Sequence, residues 1–228
     1  MVDVLGKDRR LLPMTFFQRP ALTVAQDLIG KVLIHQTPEG PLACRIIETE
    51  AYLLTDKASH SSLGYTEKRK ALFMPPGTIY MYYAHGGDSL NFSCLGKGNA
   101  VLIKSAYPLL NPATPAARER MLRNNPLPNG QHRKWERLCA GQTLLCRTLD
   151  LKVPILNARS LSQTRLELAA DGYHPDRLIQ TSRLGIPKHR DADLPYRFVD
   201  HLLAAASTKN PLRVRTWQEG EHYTILDP

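Results

Sequence analysis

The stretch Cys44-Arg45-Ile46-Ile47-Glu48-Thr49-Glu50-Ala51-Tyr52 limits the possible folds of this chain more than any other. Its apolar opening reads as a buried strand. Glu48, Glu50 and Tyr52 follow at i, i+2 and i+4, so in an extended chain their side chains share one face. A strand that only builds a core has no need of acids, so carboxylates and an aromatic ring presented together suggest a site on a sheet. A second aromatic run, Gly77-Thr78-Ile79-Tyr80-Met81-Tyr82-Tyr83, leads to His85-Gly86-Gly87-Asp88 and returns through Leu90-Asn91-Phe92. The turn signal between the two runs predicts a β-hairpin with a polar, glycine-containing tip. Tyr80 and Tyr82 fall on one face of that strand and Tyr83 on the other.

The flanking sequence places this pair of motifs inside one α+β domain. Residues 1–13 read as a loose segment and 14–228 as a single domain. Leu22, Ala25, Leu28 and Ile29 follow helical spacing over 21–29, with Thr23 as a candidate N-cap and Gly30 as the stop. Lys31–His35 reads as a strand, and Pro38-Glu39-Gly40 turns it into the Cys44 strand. Tyr52 to Pro75 is a long polar connection that contains Asp56, His60 and the triplet Lys68-Arg69-Lys70. Long connections in compact domains tend to carry function. Asn99–Lys104 and Leu166–Leu168 read as strands, 116–123 and 135–149 as helices, and Leu194–Val199 as an edge strand.

Length and charge narrow the function. The 228 residues are 43% hydrophobic and 22% charged, as in globular proteins with a substantial core. No apolar run is long enough to span a membrane, and the N-terminus lacks an apolar signal core. A cytoplasmic, nucleoid-associated protein is expected in a bacterium and a nuclear one in a eukaryote. Cys44, Cys94, Cys139 and Cys146 lack zinc-ligand spacing, so buried free thiols are expected. The net charge of +9 favours a polyanionic partner, and its basic clusters are spread along the chain as on a surface that follows a phosphate backbone. Charge alone also fits an ordinary solvated surface.

A nucleotide base needs flat rings to stack on and a few placed hydrogen bonds. Tyr52, Tyr80, Tyr82, Tyr83 and His60 offer both, although an aromatic strand residue is ordinarily core and a strand-end glutamate is ordinarily solvated or paired. A zinc nucleobase deaminase would require H-x-E with a downstream P-C-x-x-C, which is missing. A small-molecule enzyme built on Glu48 and Glu50 leaves the basic charge unexplained.

The segment RIIETEAY, then DKASHS, then FMPPGTIYMY and Asn91 resembles the alkyladenine (3-methyladenine, N-methylpurine) DNA glycosylase family. The similarity is strong over Phe16–Pro108 and weaker at Cys139–Leu149 and Arg183–Gly185. The resemblance implies a curved mixed or antiparallel sheet surrounded by helices, with a protruding hairpin. It implies a monomeric, monofunctional enzyme of base excision repair that flips alkylated purines out of double-stranded DNA and hydrolyses their N-glycosyl bond. The expected lesions are 3-methyladenine and 7-methylguanine, with hypoxanthine and ethenoadenine as neutral candidates. Glu50 matches the general base. Tyr52 and Tyr82 match the rings that sandwich the base, with His60 beside Tyr82, and Asn91 matches the residue that rejects the 2-amino group of guanine. Glu48 and Tyr80 are assigned support.

Two positions depart from the family. His85 stands at the tip where relatives place a tyrosine wedge, and Lys104 stands where an arginine is usual near the site. Both are read as DNA-contact positions, and both put DNA affinity and lesion range in question. No lysine occupies an obvious Schiff-base position, so hydrolysis without strand cleavage is expected, with no metal or cofactor. The competing reading is a DNA-binding module that kept the fold and lost catalysis.

Overall fold

The computed structural model describes residues 9–84, 86–109 and 114–227. In chain order come β1 (Arg10–Leu11), α1 (Ala21–Leu28), β2 (Val32–Thr37), β3 (Gly40–Tyr52), and a hairpin of β4 (Ile79–Ala84) and β5 (Gly87–Ser93). Next are β6 (Ala100–Pro108) and three helices, α2 (Pro115–Asn124), α3 (Gln142–Thr148) and α4 (Val153–Leu156). β7 (Leu166–Ala170), β8 (Leu178–Thr181), β9 (Arg197–Asp200) and β10 (Tyr223–Leu226) complete the sheet. The main path runs β1-β7-β2-β3-β6-β5-β4, and β9 branches from β3 and continues through β8 to β10. The pairings between these ten strands are all antiparallel, and the curved sheet does not close on itself. The expected α+β class is what the chain adopts.

The spine is β3. One of its edges pairs with β6 from Cys44 to Tyr52. The other edge is shared: Gly40–Arg45 pairs with β2, and Glu48–Glu50 pairs with β9. Helix α1 covers the sheet with Ala21, Val24, Ala25 and Leu28 buried, the i, i+3, i+4, i+7 stripe of an amphipathic helix. These side chains join Phe17, Phe92 and Ile103 in the main core, where the Phe17 and Phe92 rings lie 5.2 Å apart. Gly30 ends the helix region at a φ of +86°, a left-handed conformation in which an L side chain is strained; a Cβ there would also lie 3.1 Å from Tyr173.

Several local expectations change. Thr23 is not the cap of α1; it lies inside the helix on its exposed face, and Pro20 precedes the first turn. The helix expected over 135–149 breaks into a 3₁₀ turn, Trp135–Arg137, and α3, because Gly141 sits at a φ of +125° between them. The edge strand expected at 194–199 starts after Pro195 and is not at an edge, since β9 pairs with β3 on one side and β8 on the other. Of residues 1–13, residues 1–8 lie outside the described residues, while Arg10–Leu11 pairs with β7 and the Leu12 N–H donates to Leu168 O at 2.8 Å. His85 also lies outside the described residues. All four cysteines are buried free thiols. Among the described residues no helix is long and apolar enough to cross a membrane.

Candidate active site

A β-bulge aims the acids. Before it, Cys44 and Ile46 face the main core while Arg45 turns away and pairs with Asp171 at 2.8 Å. The pairing of β3 with β6 shifts register between Ile46 and Thr49. After the shift the parity is reversed. Thr49 and Ala51 now face the core, and Thr49 Oγ1 donates to the Ala25 carbonyl of α1 at 2.8 Å. Glu48, Glu50 and Tyr52 therefore lie together on the opposite face. Without the extra residue the even positions would have continued into the apolar core. Bulges of this kind re-aim side chains and recur beside active sites.

That face forms the floor of a cavity of about 510 Å³. Tyr52 of β3, Ala100, Leu102 and Lys104 of β6, Asn91 of β5, and Tyr80 and Tyr82 of β4 line it. Glu50, Leu102, Asn91 and Tyr80 are direct cross-strand partners, so one row of the sheet carries both the carboxylate and the carboxamide.

Glu50 is fully buried and held from three sides. Tyr52 Oη donates to its Oε2 at 2.7 Å, the Leu184 backbone N–H donates to Oε1 at 3.2 Å, and the Lys104 ammonium stands 3.4 Å from Oε1. Burial, reinforced by the adjacent Glu50 charge, pushes the Tyr52 hydroxyl well above the usual phenol range, so it remains a donor to the carboxylate. Such charge-assisted bonds fix the orientation of the Glu50 carboxylate. Lys104 is thus a cavity residue in contact with Glu50, with its side chain 13% exposed.

The opposite wall is aromatic. His60 opens a 3₁₀ turn in the connection after β3, and Ser59 caps that turn by accepting from the Ser61 N–H. The His60 ring lies 4.5 Å from that of Tyr82, and its Nδ1 is hydrogen-bonded to Tyr80 Oη at 2.9 Å. Tyr80 and Tyr82 stack at 5.4 Å. Burial, with Arg69 and Arg190 nearby, holds the His60 pKa below 6.5, so the ring is neutral at neutral pH. Tyr83 points away and is exposed, as strand alternation requires. Asn91 is 4% exposed and donates from Nδ2 to the Tyr80 carbonyl at 3.0 Å, which fixes the direction of its amide.

Two buried ion pairs brace this arrangement. Glu48 accepts from Arg197 Nε at 2.7 Å, Ser105 Oγ at 2.5 Å and the Thr208 N–H at 2.8 Å. Burial alone would raise the Glu48 pKa, but Arg197, Ser105 and Thr208 outweigh it and hold the carboxyl below 4.5. With its lone pairs committed, Glu48 supports the strand and does not face a reactant. The second pair is Asp56–Arg183, a bidentate contact in which both side chains are essentially inaccessible. Arg183 also donates to the Ala51 carbonyl at 3.0 Å and lies 4.6 Å over the Tyr52 ring, behind the cavity wall. It anchors the segment Leu184–Arg190, whose members Leu184, Gly185, Ile186, Pro187 and Arg190 line the cavity.

Sequence reasoning brought Glu50, Tyr52, His60, Tyr82 and Asn91 forward, and the structure gathers all five around one cavity, with Lys104 among them and Tyr80 in the wall. It missed Asp56–Arg183 and the segment behind Arg183. The signal available was Ser182-Arg183-Leu184-Gly185, whose arginine lies far along the chain from its partner. Among the described residues no three His, Cys, Asp or Glu side chains are grouped to hold a metal ion. The site can fix one carboxylate beside a flat, aromatic-walled slot large enough for a purine.

Comparison with known proteins points the same way. Residues 15–202 match the family model described as methylpurine-DNA glycosylase. A protein of Pseudomonas aeruginosa is 57% identical over 220 residues, covering 96% of this chain and 92% of that protein. One from Pseudomonas savastanoi pv. phaseolicola is 56% identical, covering 95% and 97%. A protein of the archaeon Methanocella arvoryzae is 32% identical, covering 88% and 98%. All three carry the name "Putative 3-methyladenine DNA glycosylase".

Proposed function

The chain belongs to the methylpurine-DNA glycosylase family and is a DNA glycosylase, a hydrolase of N-glycosyl bonds that acts on DNA; on that premise we propose that it releases alkylated purines, 3-methyladenine and 7-methylguanine first among them, by hydrolysis at Glu50. The observation that carries this reading is the sequestered Glu50 carboxylate, in one cross-strand row with Asn91 and beneath an aromatic-walled cavity.

A base inside duplex DNA is out of reach, so the nucleotide rotates out and its base enters the cavity between Tyr52 and the His60–Tyr82 pair. Asn91, with its amide direction fixed by the Tyr80 carbonyl, crowds the exocyclic 2-amino group of normal guanine. Glu50 accepts a proton from water as the water oxygen bonds to C1′, and its charge steadies the oxocarbenium-like sugar. The glycosidic electron pair leaves with the purine. Alkylation at N3 or N7 makes that purine cationic, so it departs neutral and no second carboxylate is required. Electron-rich rings further favour a cationic base, by about 0.5–2 kcal/mol per contact. His85 at the hairpin tip is assigned to fill the gap left in the duplex. The enzyme works as a monomer, with 14–228 as its single domain.

Lys104 is the only lysine among the described cavity residues, and it is ion-paired with Glu50 at 3.4 Å. An ammonium is not a nucleophile, so the reaction is hydrolytic and leaves the strand intact. The test uses a duplex with one 7-methylguanine. Release of the base, an abasic strand that stays uncut, and no covalent adduct on borohydride treatment are expected. A borohydride-trapped adduct would refute monofunctional hydrolysis, and no base release would refute the substrate assignment.

A further inference from the structure

Resting on the glycosylase reading, we propose that Lys104 is the specificity-determining residue that lets this pocket release neutral purines, by placing an ammonium against the charge that develops on the departing base. The site's charges lead there. Glu50 supplies one negative charge and Lys104, 3.4 Å away, offsets it. Arg183 is offset by Asp56. Arg190 lines the cavity as well, with its guanidinium on the Lys57 carbonyl. His60 is neutral at neutral pH. The described lining therefore carries two cations, Lys104 and Arg190, and no carboxylate, with the Glu50 charge buried beneath it.

That balance suits one class of lesion more than the other. A cationic alkylpurine leaves as a neutral molecule and gains nothing from a cation in the wall, which repels it on entry. A neutral purine, for example one carrying a carbonyl in place of an amino group, takes the glycosidic electron pair and leaves with negative charge on its ring. Its departure is slow unless a donor or a cation meets that charge. Lys104 projects from β6 into the cavity with ammonium N–H groups to donate, and its contact with Glu50 at 3.4 Å is long enough to be shared with a bound base. No proton needs to move from Lys104: the glycosidic bond breaks, the electron pair stays on the purine, and the ammonium stabilises it until solvent protonates the ring.

Single-turnover excision is measured on matched duplexes carrying one hypoxanthine or one 7-methylguanine. Lys104→Gln removes the charge and is expected to lower the hypoxanthine to 7-methylguanine rate ratio roughly 10- to 100-fold, from Coulomb interaction over about 6 Å in a partly screened site. Lys104→Arg keeps the charge and is expected to hold the ratio within about threefold of wild type. If Lys104 only braced Glu50, Lys104→Gln would depress both rates together. An unchanged ratio in Lys104→Gln overturns the proposal, and so does a wild-type enzyme that releases 7-methylguanine but not hypoxanthine. Release of neither base is a separate result that overturns the glycosylase reading itself.

Discussion

Replacing Asp56 with asparagine tests how the two walls of the cavity are tied together. The Asp56 carboxylate accepts both terminal nitrogens of Arg183 and also the Ala58 N–H at 2.8 Å, so it joins the turn leading to His60 with the segment carrying Leu184. Asp56 and Arg183 are 2% and 4% exposed, so neither charge is compensated by water. Breaking such a buried pair from one side costs about 3–5 kcal/mol, mostly because the other charge is left unpaired. Asparagine keeps one hydrogen bond, and Arg183 retains the Ala51 and Asp191 carbonyls, so the low end, about 3 kcal/mol, applies. In a chain of this size each kcal/mol moves Tm by about 2–4 °C, giving a fall of about 6–12 °C. The assay is thermal and urea denaturation of Asp56→Asn and of the double variant with Arg183→Gln. Removing both charges should recover more than half of the loss. A loss under about 1 kcal/mol would show that the pair behaves like a solvated surface bridge, and a double variant no more stable than the single would refute the unpaired-charge account.

Three further outcomes follow from the site. Glu48 titrates below 4.5 in the fold, so its pairing contributes stability above pH 4.5 that is lost as pH falls through the folded value; Glu48→Gln should flatten this part of the acid-unfolding curve, and an unchanged slope would contradict it. Tyr52→Phe removes the charged hydrogen bond to Glu50 and should slow single-turnover excision roughly 10- to 100-fold, the equivalent of about 1.5–3 kcal/mol. A rate within twofold of wild type would mean that the Tyr52 hydroxyl does not set the Glu50 geometry. Asn91→Ser should open space at the exclusion position and raise release of unmodified guanine from duplex DNA, whereas no gain in guanine release would show that another group rejects the amino substituent.

The parts of this site that were legible in the sequence share a local cause. Alternation along β3 and β4 is a two-residue period, so Glu48, Glu50 and Tyr52 could be placed on one face and Tyr83 opposite Tyr82. The bulge that points that face toward the cavity is a property of pairing with β6 and has no residue signature within β3. Gly141 stopped the expected 135–149 helix through its positive φ, which a helical count of leucines does not register. The Asp56–Arg183 pair joins residues 127 positions apart, and only the folded register brings them together. Lys104 could be placed near the site as a DNA-contact position, but its contact with Glu50 is set by the pairing of β3 with β6 and is not legible in either strand alone. The β8 and β10 strands are short and flanked by proline- and charge-rich sequence, so they carry no pattern of their own until β9 pairs with β8 and β8 in turn with β10.

Glu50 carries the account. Single-turnover release of 7-methylguanine by Glu50→Gln, which keeps the shape and removes the base, measures this directly. The rate is expected to fall at least about 100-fold while the variant stays folded at the assay temperature and still binds lesion duplex, because general-base catalysis is typically worth 10²–10⁴. Release by Glu50→Gln within a few-fold of wild type would contradict the assignment of the reaction to this carboxylate.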